Sequence, residues 1–87
     1  MNTFHLVITS PGGTLYDGPA AVLSLRGAEG DLAVMAGHIP FITSVQPCTC
    51  KLTLQEGDER AGTTQGGLLS VTNDVVTLIS GSFEWQK

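Results

Sequence analysis

The sequence predicts an all-β domain, a small antiparallel β-sandwich or flattened barrel built from short strands. Apolar and polar residues alternate over several short stretches, turn-forming residues separate these stretches at roughly eight- to twelve-residue intervals, and no stretch has helical periodicity. The 11 glycines and 4 prolines supply the many turns that such a fold needs. At 87 residues the chain can bury one small core, so we predict a single domain over residues 1–87.

The first third of the chain has the pattern of strands connected by hairpins. Residues 4–9 alternate with the period of two that is typical of a strand. The Pro-Gly-Gly sequence at residues 11–13 ends this strand, and a second extended piece follows at residues 14–16. The Asp-Gly-Pro sequence at residues 17–19 predicts a hairpin turn before the apolar stretch at residues 20–25.

The second half of the chain repeats this organisation. Residues 48–55 alternate most clearly, and the Glu-Gly-Asp sequence at residues 56–58 ends that strand. Its predicted buried face consists of Cys48, Cys50, Leu52 and Leu54. Residues 68–72 and 75–80 are β-branched runs joined at residues 73–74, an Asn-Asp pair that tolerates the positive φ of a tight turn.

Charge and composition exclude several classes of partner. A formal net charge of -4 with only 4 Lys+Arg leaves no basic stripe that binds a nucleic-acid backbone. Since no apolar run approaches the roughly 18 to 20 residues that span a bilayer, we expect no direct membrane insertion, and any membrane association would run through another protein. The 2 cysteines are no disulfide framework for a secreted domain, which favours a reducing cytoplasm.

One stretch, residues 26–43, is neither an ordinary strand nor an ordinary turn. Its glycines predict a shaped loop, a short strand at residues 31–34 and then a second shaped turn, because glycine adopts a positive φ without strain. We expect this geometry to present Glu29, Asp31 and His38 near one end of the domain.

Four blocks of sequence point to a known family. They are Ser10-Pro11 with the glycines and aromatic of residues 13–18, GAEGDL at residues 27–32, GHIPFIT at residues 37–43 and GGLLSV at residues 66–71. In order and spacing these blocks resemble the N-terminal domain of the epsilon subunit of F-type ATP synthases, which carries Gly-x-Glu-Gly-Glu/Asp-Leu and then Gly-His-x-Pro-Leu-Leu-Thr. The blocks cover nearly the whole chain, which is therefore identified as a member of this family.

The resemblance implies a non-catalytic rotor subunit with a ten-stranded β-sandwich. Such a subunit binds the foot of the gamma subunit in the central stalk, rests on the polar loops of the c-ring and supports the coupling of proton transport to ATP synthesis. By resemblance, Glu29, Gly30, Asp31 and His38 face the c-ring, while Ser10 and Thr43 face gamma. Carboxylates suit that contact because the ring loops of the family carry arginine, whose fork binds a carboxylate in a fixed orientation. The implied location is the cytoplasmic face of the bacterial plasma membrane, as a peripheral part of the complex.

The family usually continues with a two-helix C-terminal domain that restrains ATP hydrolysis. The sequence ends at Lys87, after the Phe83 to Gln86 segment, so no C-terminal helical hairpin is expected.

Catalytic and metal-binding interpretations of the same residues are weaker. His38 alone lacks the His/Glu spacing of a zinc site, and Cys48 with Cys50 continues an apolar strand face, which favours buried free thiols over zinc ligands. Glu29 and Asp31 lie on an exposed glycine-rich loop, which favours a solvated loop or a protein contact over acid-base catalysis. We therefore expect no catalytic residues, no metal and no cofactor, and the alternative function is a free-standing β-sandwich that binds a small ligand.

Overall fold

The computed structural model describes residues 2–86, which form ten β-strands. The strands are β1 (Phe4–Ser10), β2 (Gly13–Ala20), β3 (Val22–Gly27), β4 (Gly30–Met35), β5 (Phe41–Val45), β6 (Cys48–Thr53), β7 (Glu59–Thr64), β8 (Gly67–Val71), β9 (Val75–Ser80) and β10 (Phe83–Trp85). The predicted all-β fold of about ten short strands is confirmed. Within residues 2–86 there is no helix with the length and apolar character needed to span a bilayer.

The strands form one curled sheet in the order β10-β7-β6-β3-β5-β8-β9-β1-β2, with β4 added beside β3. Over the residues that the structure describes, every pair is antiparallel except β1 with β9, which run parallel from His5↔Val75 to Thr9↔Ile79. The prediction of antiparallel strands therefore holds for every described pair except β1 with β9. Parallel neighbouring strands need a long connection, and here residues 11–74 form the connection between β1 and β9.

Alternation along the strands places one face of the sheet inside the barrel. The largest completely enclosed apolar side chains come from six different strands, so the core depends on contacts between distant parts of the chain. They are Leu6, Ile8, Leu23, Val34, Leu52, Leu69, Val71, Val76 and Leu78. Burying a side chain of this size contributes roughly 1.5 to 3 kcal/mol relative to leaving it in water.

The hairpin turn predicted at residues 17–19 is wrong. Those residues lie inside β2, where Asp17 pairs with Val7 and Pro19 pairs with His5. Because β2 is the last strand on its side of the sheet, a proline there removes no hydrogen bond to a second neighbour. The chain turns instead at Ala21, whose N–H donates to the carbonyl oxygen of Thr53 at 2.7 Å.

The turn between β8 and β9 lies where it was predicted, but it uses a different conformation. Neither Asn73 nor Asp74 has a positive φ. The hydroxyl of Thr72 accepts hydrogen bonds from the N–H groups of Asp74 at 3.3 Å and Val75 at 3.1 Å. A side-chain oxygen therefore closes this turn, as serine and threonine do in other turns.

A pair of buried hydroxyls joins two further turns inside the barrel. Thr64 and Ser80 are 0% and 1% exposed, and their oxygens lie 2.6 Å apart. Ser80 donates to the carbonyl oxygen of Ser82, and the Thr64 oxygen accepts from the N–H of Gly66. Since each buried hydroxyl has partners, the polar pair costs little and fixes the β7–β8 turn against the β9–β10 turn.

The two cysteines are free thiols with different surroundings. Cys50 is 2% exposed and belongs to the core, whereas Cys48 is half-buried. Burial raises the pKa of the Cys50 thiol to about 12, and the neighbouring Cys48 adds to the shift. The thiolate is the reactive form of cysteine, so Cys50 is chemically protected in the folded chain.

We expect iodoacetamide at pH 8 to label folded Cys50→Ala once, at Cys48, and to leave folded Cys48→Ala unlabelled. Intact-mass spectrometry before and after adding denaturant measures both. Equal labelling rates for the two folded variants would contradict the assignment of Cys50 to the core.

The same pKa shift predicts a dependence of stability on pH. As pH rises, the unfolded chain loses the Cys50 proton near the ordinary value of 9.0, while the folded chain keeps it up to about 12. The contribution of this thiol to stability is therefore complete below about pH 9 and disappears between these two values. Denaturant midpoints measured from pH 7 to 11 should fall less steeply for Cys50→Ala than for the original chain.

Candidate interaction surfaces

The predicted carboxylates lie on the hairpin between β3 and β4, and we call residues 28–31 the carboxylate turn. Ala28 and Glu29 form its exposed tip, and Gly30, with a φ of 125°, begins β4 in a conformation that favours glycine. Asp31 lies opposite Arg26 on the paired strand and accepts a hydrogen bond from its Nε at 3.0 Å. The pKa of Arg26 is raised by that hydrogen bond and by the charge of Asp31. Asp31 therefore already has a partner within the chain.

Glu29 differs from Asp31 because its carboxylate extends from the tip of the turn. It is exposed, and among residues 2–86 it forms no ion pair or hydrogen bond within the chain. Both predicted carboxylates are exposed, and Glu29 is the one that has no competing partner among the described residues.

His38 is not close to this turn. The turn precedes β4 and His38 follows it, and a six-residue strand is about 17 Å long. The ring nitrogens of His38 contact the carbonyl oxygens of Met35 and, at 3.3 Å, Thr72. Its ring also meets Phe4 edge-on, with 5.9 Å between centroids. The expectation of one shared end is wrong, because His38 connects the β4–β5 loop to the β8–β9 turn instead.

Ser10 and Thr43 also lie in separate places. Ser10 ends β1 and lines a shallow apolar cavity of about 530 Å³ together with Leu68 and Ile79. Thr43, on β5, faces the carboxylate turn and is 3.6 Å from the position of a Cβ added to Gly27. The structure therefore does not bring the two predicted gamma-facing residues together.

An exposed surface that the sequence did not predict covers the outer side of β5, β8, β9 and β1. Ile42, Leu68 and Ile79 are 68%, 41% and 47% exposed, and Leu68 lies directly opposite Ile79. We call this surface the apolar face, and it consists of Val7, Thr9, Ile42, Ser44, Leu68, Ser70, Thr77 and Ile79. It carries no charged side chain. Contiguous exposed apolar surface of this kind is typical of interaction sites.

The signal for the apolar face was present in the sequence. Residues 68–71 and 75–80 are apolar at several successive positions, whereas a strand with one wet face alternates. The alternation at residues 48–55 shows that contrast within the same chain. Which positions point outward depends on register, which periodicity alone does not give.

The outer side of β3, β4 and β6 carries a cavity of about 650 Å³ with a mixed lining. Arg26, Asp31, Lys51 and Cys48 contribute to it. Within residues 2–86, no group of three or more His, Cys, Asp or Glu side chains is arranged to hold a metal ion.

Comparison with known proteins places the chain in a family. The family model described as "ATP synthase, Delta/Epsilon chain, beta-sandwich domain" matches residues 3–86. ATP synthase epsilon chains of Clostridium perfringens strains SM101 and 13 are 32% identical over 85 residues, and the alignment covers 98% of this chain and 64% of theirs. The chain thus spans less than two thirds of the length of these curated relatives.

Solved structures agree with this fold. A chain of the Euglena gracilis mitochondrial ATP synthase, solved with OSCP, F1 and the c-ring, matches with a TM-score of 0.89 at 21% identity, covering 95% of this chain and 53% of that chain. A chain of the Tetrahymena thermophila mitochondrial ATP synthase central stalk and c-ring matches with a TM-score of 0.79 at 11% identity, covering 94% of this chain and 66% of that chain. Because the family model covers nearly all of the sequence, this chain belongs to the family of ATP synthase delta/epsilon chain β-sandwich domains.

Proposed function

We propose that the chain is a non-catalytic rotor subunit of an F-type ATP synthase. It joins the gamma subunit of the central stalk to the membrane c-ring and supports the coupling of proton transport to ATP synthesis. The observation that carries this proposal is the match of the family's β-sandwich domain to residues 3–86. The structural neighbours come from ATP synthase assemblies that contain a c-ring, which supports the same role.

The apolar face is the proposed contact with gamma. A rotor subunit must be held firmly enough to turn with the stalk, and burying large apolar side chains supplies that attachment without charge specificity. Leu68 and Ile79 lie side by side at its centre, next to Ser10 at the end of β1. This position supports Ser10 as a gamma contact more directly than Thr43.

The carboxylate turn is the proposed contact with the c-ring. Glu29 is its main contact, because Asp31 is already paired with Arg26. If the ring loops carry arginine, as the resemblance implies, Glu29 forms a bidentate pair with one of them. Gly30 shapes the turn, while His38 acts from the other end of β4 by holding the neighbouring loop.

The proposed location follows from these contacts. The chain is a peripheral part of the ATP synthase at the cytoplasmic face of a bacterial plasma membrane, attached through gamma and the c-ring.

Co-purification with gamma tests the proposal. The chain should elute with purified gamma in gel filtration, in a complex that survives moderate salt. A chain that stays monomeric in the presence of gamma, yet gains thermal stability with a small ligand, would instead identify a ligand-binding module.

Reversing the charges of the carboxylate turn should weaken the ring contact. In Glu29→Lys with Asp31→Lys, two new ammonium groups face the arginines of the ring, and like charges at an interface cost more than a lost attraction. We expect binding to the c-ring to weaken roughly tenfold or more, with a matching loss of proton-driven ATP synthesis in reconstituted vesicles.

The chain contains a matched control for this experiment. Residues 56–58 repeat the Glu-Gly-Asp sequence on the exposed turn between β6 and β7, and Gly57 also has a positive φ. Glu56→Lys with Asp58→Lys makes the same change in net charge away from the proposed contact. Equal losses of synthesis in both double variants, with normal circular dichroism, would remove Glu29 and Asp31 from the ring interface.

A further inference from the structure

We propose that Gln46 is a positioning residue that holds the carboxylate turn in the orientation that the ring contact uses. The inference rests on the proposed contact of Glu29 with the c-ring, and it assigns to Gln46 a role that acts through Glu29. Its basis is a group of hydrogen bonds that connects the residue after β5 to the turn between β3 and β4.

Gln46 donates to three successive carbonyl groups at this turn. Its backbone N–H donates to the carbonyl oxygen of Arg26 at 2.9 Å. Its side-chain Nε2 donates to the carbonyl oxygens of Gly27 at 3.0 Å and Ala28 at 3.4 Å. A carboxamide nitrogen has two hydrogens, so one group can serve both carbonyls. The exposed end of the hairpin is thereby attached to the neighbouring strand.

Packing at Gly27 restricts the backbone conformation of the carboxylate turn. A Cβ added to Gly27 would lie 2.6 Å from the Cδ2 atom of Leu32 and 3.6 Å from Thr43, so the base of the turn is already closely packed. Gly27 also pairs with Val45, the residue before Gln46. Packing therefore holds the base of the turn at Gly27, and the Gln46 carboxamide holds the carbonyl group of Ala28, the residue before Glu29.

The position of Gln46 argues against a general role in folding. Its side chain is exposed, lies outside the core and follows the end of β5. A long polar side chain loses rotational freedom when it is held in this way. That loss is offset if a rigid turn presents Glu29 to a partner without having to be ordered at the moment of binding.

The test compares Gln46→Met with Gln55→Met in the full chain. Methionine keeps the length of the side chain and removes both donors, and Gln55 is an exposed glutamine in the β6–β7 turn. In Gln46→Met, backbone ¹⁵N order parameters of residues 28–30 should fall from about 0.85 toward 0.6, while the chain stays folded by circular dichroism. In Gln55→Met they should stay as in the original chain. Unchanged order parameters in Gln46→Met would overturn the proposal.

Binding to the ATP synthase complex depleted of this chain supplies the second measurement. Gln46→Met should bind roughly fivefold more weakly, since a flexible turn must be ordered on binding. In a Glu29→Gln background the same substitution should have no further effect, because Gln46 acts through Glu29. A full fivefold loss in that background would overturn the positioning role.

The two proposals fail in different ways. If Glu29→Gln binds the depleted complex as well as the original chain, the ring contact itself is wrong and the role of Gln46 falls with it. If Glu29→Gln weakens binding but Gln46→Met leaves both binding and the order parameters unchanged, the ring contact stands and only the positioning role is lost.

Discussion

Replacing Gly67 with alanine is expected to destabilise the protein strongly. A Cβ at this position would lie 2.0 Å from the carbonyl oxygen of Ile79 and 3.0 Å from the Cα of Ser80. These are backbone atoms of β9, the strand that pairs with β8, so no side chain can rotate away to make room. The two strands must separate, with the loss of ladder hydrogen bonds between them.

The size of this effect is large for so small a domain. Overpacking typically costs up to about 3 kcal/mol, and more where backbone must move. A chain of this length has a total unfolding free energy of roughly 4 to 13 kcal/mol. Urea denaturation followed by Trp85 fluorescence should show a much lower midpoint for Gly67→Ala.

Gly12 provides the matched control. A Cβ at Gly12 would find its nearest atom, the Ser10 hydroxyl oxygen, at 3.9 Å, which is ordinary contact distance. Gly12→Ala should therefore leave the midpoint nearly unchanged. A Gly67→Ala midpoint within error of the Gly12→Ala midpoint would show that β8 and β9 are not packed as described.

Charging the apolar face is expected to abolish binding to gamma while leaving the fold intact. Leu68→Lys with Ile79→Lys places two ammonium groups at the centre of the proposed interface, where binding would strip them of water without a partner. A central interface residue typically contributes about 2 kcal/mol or more, so the two changes together should weaken binding by at least about a hundredfold. Titration calorimetry with purified gamma measures this loss.

The fold should survive because Leu68 and Ile79 are 41% and 47% exposed in the free chain. Met35→Lys with Ile39→Lys is the control, since these residues are 54% and 81% exposed and lie outside the apolar face. Gamma binding that is reduced equally in both double variants would show that total charge, and not this surface, determines the interaction.

The sequence predicted a strand most directly where that strand has one buried and one wet face. The alternation in residues 48–55 gave β6 directly, including the buried positions Cys50 and Leu52. β7 was missed because its inward positions include Gly62, which carries no hydrophobic signal. Glycine is required there because a Cβ would lie 2.3 Å from the Phe83 ring, a contact made by a strand far along the chain.

In the candidate site, too, the sequence predicted local backbone shape but not the contacts between strands. The Glu-Gly-Asp motif located the carboxylate turn, because glycine spacing reports local backbone shape. The pairing of Asp31 with Arg26 and the attachment through Gln46 depend on strand register, which no local pattern records. His38 was assigned to the wrong neighbourhood for a different reason. A strand was predicted at residues 31–34, and its two ends lie at opposite edges of the sheet, so the turn before it and His38 after it are apart.

The parallel pairing of β1 with β9 also has a consequence for how the chain acquires its structure. β1 finds one neighbour at once, through its hairpin with β2, but its other edge has no neighbour until residues 75–79 have been synthesised. Closing so long a loop makes folding slow, and two-state β-proteins with such non-local contacts fold in milliseconds to seconds. During translation the first strand therefore leaves the ribosome with an open edge, and the barrel closes only after residues 75–79 have emerged.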